Sequence, residues 1–374
     1  MSNILEYISW RGDLSFKQSG FNEVDNLILS TFAYFPLDNL FFNDEKTTIK
    51  EAYSRAISIG IEDKEYILEC DKELFGAMAQ SERFGNLIIS NYVNKIDKVE
   101  EKQFSAVTVF LPDNTIYVAF RGTDNTFVGW KEDLNMSFST DVPAQRDAVK
   151  YLENIAQITK CKIRVGGHSK GGNLAIFASA FCNSSVKEQI IDIYNNDGPG
   201  MNEINIQKVE YKEILSRAHT YIPQESIFGR MLYHEGKYTI VQSTQKGILQ
   251  HYPDTWQVQG TKFVYLDEVT NGSENVNKVI KKWLNEQTPE KREEFFNTLY
   301  NLFISSNIQD VYDLRTNWFK NARLLLKAYN ETDESNKQII SETIHSILKI
   351  TKDNMFSSIA KPKTSKKKIK YSKK

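Results

Sequence analysis

The segment from Cys161 to Ala175 constrains the fold of this 374-residue chain more than any other part. It begins with β-branched residues typical of a strand, continues as Gly-His-Ser-Lys-Gly around Ser169, and ends in an Ala- and Leu-rich run typical of a helix. A G-x-S-x-G sequence between a strand and a helix is the pattern of a nucleophile elbow, in which a sharp turn lifts a serine hydroxyl out of a sheet. Glycine neighbours permit this turn because they carry no Cβ atom. The segment therefore predicts a nucleophilic serine at the start of a helix, whose N–H groups and positive dipole end can stabilise an oxyanion.

Strand and helix patterns alternate along residues 104–242, which contain this segment. The turn at 112–114 joins two strand patterns into a hairpin, and a helical pattern covers 144–158. Such alternation is typical of an α/β fold with a mostly parallel sheet that helices cover on both faces. The predicted strands are 87–93, 104–111, 115–120, 162–165, 190–194, 218–222 and 238–241.

Helical patterns dominate the two ends of the chain. Residues 1–60 form a predicted helical lead-in, in which Phe21, Val24, Leu27 and Phe32 recur at helical spacing. After about residue 272 the strand patterns stop, and four apolar helical patterns follow. These are 276–286, 289–305, 311–329 and 339–350. We therefore predict an α/β domain with its lead-in over 1–272, a helical C-terminal region over 273–357 and a disordered basic tail over 358–374.

Charge is distributed unevenly along the chain. The formal net charge is −1, yet residues 361–374 hold eight lysines and no acidic residue, so the rest of the chain is mildly acidic. An acidic body does not fit nucleic-acid binding by the fold itself. The tail is interpreted either as a solubilising end or as a weak contact with an anionic membrane.

The cysteines and the N-terminus bear on localisation and cofactors. The three cysteines are an odd number, which argues against a disulfide framework, and they show no metal-ligand spacing. The first residues lack the basic and apolar pattern of a secretory signal, and no apolar run is long enough to span a bilayer. We expect a cytoplasmic protein that needs neither metal nor cofactor.

A nucleophilic serine needs a histidine as general base, and the chain has five histidines. His251 and His234 follow Ser169 in loop-like sequence, and His251 is preferred because it comes just before a new strand pattern. The other three lie in the elbow, in a strand pattern and in a helical pattern, where we expect structural roles. These are His168, His219 and His345.

Two carboxylates are candidates to orient the histidine. Asp197 follows the strand after the elbow helix, at the carboxyl end where open α/β sheets place ligand-facing residues. Glu225 follows the next strand along the chain. Asp197 is preferred, although Asp-Gly-Pro-Gly is also the composition of a simple tight turn.

The oxyanion hole is expected to use two segments. One donor is the backbone N–H of Lys170, the residue after the serine, and the second is Thr123, which follows an earlier strand and whose hydroxyl is a candidate third donor. The Lys170 side chain is unusual, because a cation in the first helical turn opposes the helix dipole. We expect it to be solvated rather than to bind an anionic substrate group.

The segments Phe120–Thr123 and Gly167–Gly172, together with Trp130, Asp133 and Leu134, resemble the class-three (fungal-type) lipases. The resemblance implies an α/β-hydrolase fold, an oxyanion hole in the Arg-Gly-Thr segment and a nucleophile in Gly-His-Ser-x-Gly-Gly. Five further segments are similar to an uncharacterised bacterial α/β-hydrolase family related to those lipases, over about residues 3–350. They are Trp10–Phe16, Phe21–Asp25, Gln103–Ala106, Asn196–Gly200 and Gln250–His251.

The chain also departs from the class-three pattern. Those lipases usually have Gly-x-Pro-Arg-Val-Gly where this chain has Asn-Asp-Gly-Pro-Gly, and they place their acid after the next strand, close to Glu225. An Asp-containing turn after the strand that follows the elbow is, in contrast, similar to the pancreatic-type lipases and favours Asp197. The choice between the two carboxylates stays open at this point.

Together the motifs and the resemblance predict a lipase- or esterase-like serine hydrolase that cleaves a small-molecule or lipid ester. Ser169, His251 and Asp197 form the predicted triad, and Thr123 and Lys170 the predicted oxyanion hole. The alternatives are a phospholipase acting on anionic lipid and a non-catalytic interaction protein with an α/β-hydrolase fold.

Overall fold

A computed structural model of the chain describes residues 2–38, 40, 46–124, 126–306 and 318–359. Within these ranges a nine-stranded mixed sheet occupies the centre, and a separate two-stranded ribbon pairs β9 with β10. The strands are β1 (Thr47–Thr48), β2 (Ile88–Asp97), β3 (Lys102–Phe110), β4 (Thr115–Phe120), β5 (Lys162–His168), β6 (Ile190–Asn196), β7 (Ala218–Pro223), β8 (Tyr238–Val241), β9 (Val258–Gln259), β10 (Lys262–Phe263) and β11 (Tyr265–Leu266).

The sheet has a parallel half between antiparallel edges. Its strand order is β1-β2-β3-β4-β5-β6-β7-β8-β11, and the strands from β4 to β8 run parallel to one another. The strands β1, β2 and β3 pair antiparallel on one side, and β11 pairs antiparallel with β8 on the other. The predicted α/β architecture is therefore present. The sheet is mixed, because tight turns join β2, β3 and β4 as antiparallel neighbours.

Helices cover both faces of the sheet, and β4 shows why. Its side chains alternate: Tyr117 and Ala119 belong to the core on one face, and Ile116, Val118 and Phe120 to the core on the other. A strand with both faces buried needs helices on each side. The helices are α1 (Ile4–Arg11), α2 (Glu23–Phe32), α3 (Ile49–Ile59), α4 (Asp71–Gln80), α5 (Phe127–Asn135), α6 (Pro143–Thr159), α7 (Lys170–Phe181), α8 (Ser184–Lys187), α9 (Glu203–Gln207), α10 (Val209–Ile214), α11 (Asn271–Glu286), α12 (Pro289–Ser305), α13 (Trp318–Glu331) and α14 (Glu334–Ile359).

The N-terminal lead-in contains the predicted helix, α2, which lies against the carboxyl end of β6. Asn22 caps α2 by accepting from the backbone N–H groups of Val24 and Asp25. Farther along α2, Asn26 donates to the Asn196 side chain at 2.9 Å, and the Asn196 amide donates to Ser30 at 3.0 Å. These buried bonds attach α2 to the last residue of β6.

The C-terminal region is helical, as its apolar spacing predicts, and it packs on α5. Trp130 of α5 meets Phe303 of α12 with ring centroids 5.7 Å apart, and Phe138 stacks on Phe296 at 6.4 Å. Part of the helix predicted over 311–329 lies outside the described residues, as does the predicted basic tail from residue 360 onward. Among the described helices, none combines the length and the apolar character needed to cross a bilayer.

Candidate active site

Ser169 lies in a strained turn between β5 and α7. Its backbone has φ +58° and ψ −133°, a conformation that costs a non-glycine residue on the order of 1–3 kcal/mol. The Ser169 N–H donates to the Asn196 carbonyl at 2.9 Å, and the Ser169 carbonyl accepts from Gly172 at 2.9 Å. Strain held by surrounding hydrogen bonds is the local structure that a nucleophile elbow requires.

The glycines that flank the turn permit close backbone contacts. A Cβ atom on Gly171 would lie 2.1 Å from the carbonyl oxygen of Phe120, the last residue of β4. A Cβ atom on Gly122 would lie 2.6 Å from the carbonyl oxygen of His168 and 1.9 Å from the Tyr34 hydroxyl. The start of α7 and the Arg-Gly-Thr segment therefore both pack directly against the backbone of neighbouring strands.

Asp197 and His251 form a hydrogen-bonded pair next to this turn. The buried Asp197 carboxylate accepts from His251 Nδ1 at 2.6 Å through its Oδ2 atom. Its Oδ1 atom accepts from the Ser226 hydroxyl at 2.5 Å and from the Gly229 N–H at 3.2 Å. Because Nδ1 faces the carboxylate, Nε2 is the ring nitrogen left to receive a proton from a nucleophile.

His168 connects the elbow to His251. Burial lowers the pKa of His168 well below its usual value, so its ring is neutral and carries one N–H. From its partners we assign that proton to Nε2, which donates to the His251 carbonyl at 2.7 Å, while Nδ1 accepts from the Tyr34 hydroxyl at 3.1 Å. The two imidazole rings lie 4.6 Å apart.

The structure does not join Ser169 to His251 directly. In the part of the chain that it describes, no hydrogen bond links the half-buried Ser169 hydroxyl to the His251 ring. Two indirect contacts connect them instead. His168, next to Ser169, binds the His251 carbonyl, and the Asn196 carbonyl, next to Asp197, accepts from the Ser169 N–H. In enzymes without a bound substrate such contacts are often long, and they shorten when the substrate binds.

Thr123 and Lys170 are the two residues whose backbone N–H groups are expected to bind the oxyanion. Neither N–H donates to an acceptor among the described residues. The Thr123 hydroxyl is not available, because it donates to the Asp133 carboxylate. Burial raises the pKa of Asp133 to about 6. The two segments that carry these N–H groups are each held in place by a close contact or a hydrogen bond.

The expectation of a solvated Lys170 side chain is wrong. The side chain is fully buried, and Nζ donates to both the carbonyl and the side-chain oxygen of Gln103, at 2.9 and 2.7 Å, and to Glu132 at 3.0 Å. A carboxylate and two amide oxygens compensate for the removal of the cation from water and for its place in the first helical turn.

The other candidates lie elsewhere. The Glu225 carboxylate accepts from the Gly247 N–H at 2.5 Å, whereas Asp197 holds His251. His219 lies in β7 with Nε2 3.0 Å from Asp192, and His345 lies in α14. Among the described residues no group of three His, Cys, Asp or Glu side chains could hold a metal ion.

Sequence reasoning missed several residues that support the site. Asn196 binds the turn at Ser169, and Ser226 binds the Asp197 carboxylate. Tyr34 binds His168, and Glu132 binds Lys170. Asn196 and Glu132 stand beside residues that the motifs singled out, and this adjacency was the available signal. Nothing in the sequence around Tyr34 indicates its contact with His168, 134 positions away.

Comparisons with known proteins find one matching family model and several solved structures of low sequence identity. A family model described as Mbeg1-like matches residues 78–301. The Rhizomucor miehei lipase in its propeptide complex aligns with 63% of this chain and 81% of its own, at 14% identity and a TM-score of 0.38. Lipase II from Rhizopus niveus aligns with 65% of this chain and 88% of its own, at 16% identity and a TM-score of 0.35. No curated protein gives a significant match.

Proposed function

The chain belongs to the Mbeg1-like family, and we propose that it is a serine hydrolase that cleaves carboxylic esters through an acyl-enzyme. The observation that carries the proposal is the hydrogen bond between Asp197 and His251 beside the strained Ser169 turn. A buried carboxylate on one imidazole nitrogen leaves the other free to act as a general base. Family membership alone does not supply this chemistry.

In the proposed reaction, Ser169 attacks the ester carbonyl and His251 accepts the hydroxyl proton at Nε2. Asp197 stabilises the imidazolium through its bond to Nδ1. The N–H groups of Thr123 and Lys170 bind the oxyanion of the tetrahedral intermediate, and the loss of one such donor typically costs about 3–4 kcal/mol in the transition state. His251 then protonates the alcohol as it leaves, and water releases the acid in a second, equivalent step.

The experiment that tests the proposal is covalent labelling with a fluorophosphonate probe. Ser169→Ala removes the proposed nucleophile, so we expect labelling to disappear and turnover of p-nitrophenyl butyrate to fall by about 10⁴-fold or more. Circular dichroism and thermal unfolding check that the variant is folded. Ser185→Ala, at an exposed position on α8, is the matched control and should label like the wild type. If folded Ser169→Ala labels as well as the wild type, the proposal is wrong.

A further inference from the structure

We propose that the buried side chain of Lys170 is a positioning group for the oxyanion hole, acting through Glu132 on α5. The proposal rests on the hydrolase function proposed above. It assigns to Lys170 two separate tasks: its backbone N–H faces the oxyanion, and its side chain fixes where that N–H lies.

The first step is the completeness of the Lys170 contacts. An ammonium group has three donors, and here all three find acceptors in a site closed to water: two oxygens of Gln103 and one of Glu132. The side chain therefore has one arrangement rather than several. Because Lys170 is the first residue of α7, this arrangement fixes the helix end next to Ser169.

The second step is the anchoring of Glu132 itself. Its Oε2 atom also accepts from the backbone N–H of Gln103 at 3.0 Å, at the start of β3. Its Oε1 atom accepts from the backbone N–H of Ala144 at 2.8 Å, in the first turn of α6. The carboxylate thus ties α7 to three elements, α5, α6 and β3, and it is as buried as the lysine that it binds.

The third step connects both oxyanion segments to neighbouring residues of α5. Asp133, next to Glu132, accepts from the Thr123 hydroxyl, and its Oδ1 atom lies 3.9 Å from Lys170 Nζ. Two consecutive carboxylates therefore hold the two segments that carry the N–H donors. Donor positions must be correct to within about 0.5 Å for effective stabilisation, so a shift of α5 relative to α7 should act on the transition state.

If the ion pair were purely structural, its removal would leave kcat unchanged, and this difference in kcat defines the test. Replacing both partners of a buried pair by apolar residues of similar volume is often neutral for stability, whereas removing one partner leaves a buried charge. The double variant Glu132→Met/Lys170→Met therefore removes the tether without leaving an unpaired charge, although the backbone N–H groups of Gln103 and Ala144 lose their acceptor. We expect it to fold, to keep KM within about threefold of the wild type, and to lose about 10- to 100-fold in kcat with p-nitrophenyl butyrate.

The control is Lys187→Met/Glu213→Met, which removes an ion pair of the same 3.0 Å length between α8 and α10, in which Glu213 is half exposed. It should keep the wild-type kcat. A folded Glu132→Met/Lys170→Met variant with wild-type kcat overturns the proposal, because a structural pair would give that result.

Should the double variant not fold, Glu132→Asp decides. It keeps the charge but withdraws the carboxylate by one methylene, so kcat should fall with KM unchanged, and an unchanged kcat overturns the proposal. Labelling of wild-type Ser169 is measured in parallel. If wild-type Ser169 is not labelled, the hydrolase function itself is contradicted. If it is labelled and the variants keep the wild-type kcat, only the role of Lys170 is contradicted.

Discussion

Asp197 and Glu225 are the two candidates for the carboxylate that orients His251. Asp197 contacts the imidazole, and Glu225 binds a backbone N–H of the next loop. Asp197→Asn keeps the shape but loses the charge and the preferred tautomer of His251, so we expect kcat to fall by about 10³- to 10⁴-fold. Glu225→Gln should change kcat by less than about threefold. Turnover of p-nitrophenyl butyrate by both variants checks this, and a larger loss in Glu225→Gln would reverse the assignment.

His234 provides a second prediction for a single residue, in this case for stability. Burial lowers the pKa of His234 to about 4, and its Nε2 atom has no hydrogen-bond partner in the described part of the chain. The folded pKa lies below the unfolded value of about 6.5, so the folded state binds fewer protons between these two pH values. The stabilising contribution of His234 is therefore complete above pH 6.5 and is lost as the pH falls towards 4.

His234→Gln, which cannot be protonated, isolates this contribution. The free energy of unfolding of the wild type relative to the variant should decrease between pH 7.5 and pH 4.5, by at most about 3 kcal/mol. Urea unfolding of both proteins at the two pH values measures the difference, and groups that titrate in both proteins cancel. A difference that does not change with pH contradicts the buried, neutral state of this histidine.

Individual residues differ in how far the sequence could predict them. The strained turn at Ser169 could be predicted because an elbow requires a local pattern that a single sequence shows. Lys170 was misjudged because its partner Glu132 lies 38 positions away, and no local pattern reports a contact of that range. The preference for Asp197 over Glu225 came from position at a strand end, whereas its contact with His251 spans 54 positions.

At the scale of elements, the contact between β4 and α7 leaves no room for a side chain at Gly171. Gly171→Ala would place a methyl group 2.1 Å from the Phe120 carbonyl oxygen, so the helix start has to move. We expect a loss of about 2–3 kcal/mol in the free energy of unfolding, together with reduced turnover. Urea unfolding measures the loss. Gly20→Ala, where a methyl group meets no atom within 4 Å, is the control and should change stability by no more than about 0.5 kcal/mol. Equal stability of the two variants would contradict the tight contact.

The elements themselves were largely predictable, but their pairing was less so. Period-two alternation and caps such as Asn22 predict where strands and helices lie, because these signals are local. The antiparallel edge formed by β11 was not predicted, since it is only two residues long and contributes no periodic pattern. The parallel order of β4 to β7 follows from the helices between them, whereas β8 joins β7 in parallel through a connection that contains no α-helix. The antiparallel addition of β2 depends on pairing across a turn at residues 98–101.

At the scale of the whole molecule, the C-terminal helices contact the segment that holds the proposed acid. Ser273 in α11 donates to the carbonyl of Ser226 at 2.8 Å, and the Ser226 hydroxyl donates to Asp197. Asn277 donates to the carbonyl of Arg230 at 2.7 Å in the same segment. The sequence predicts the helical region but not this contact, since the apolar spacing of a helix says nothing about its polar partners. The division into a domain over 1–272 and a region over 273–357 stays a prediction.

The basic tail, which follows α14 in the sequence, is the second feature at the scale of the whole molecule. Eight lysines without an acid lie in residues 361–374, and α14, which precedes them, exposes Ile344 and Leu348. Near an anionic membrane surface each lysine contributes about 1 kcal/mol, and salt screens this attraction within a Debye length of about 8–10 Å. We therefore expect the chain to sediment with phosphatidylglycerol vesicles at low salt and to dissociate as the salt concentration rises. Phosphatidylcholine vesicles should bind it weakly.

A chain that ends at residue 359 isolates the contribution of the tail. It should lose binding to anionic vesicles and keep its turnover of soluble p-nitrophenyl butyrate, since the proposed site lies in residues 123–251. If the full chain also hydrolyses phosphatidylglycerol in these vesicles and the shortened chain does not, anionic lipid is a substrate and the tail brings the enzyme to it. Equal vesicle binding by the two chains would mean that the lysines only keep the protein in solution.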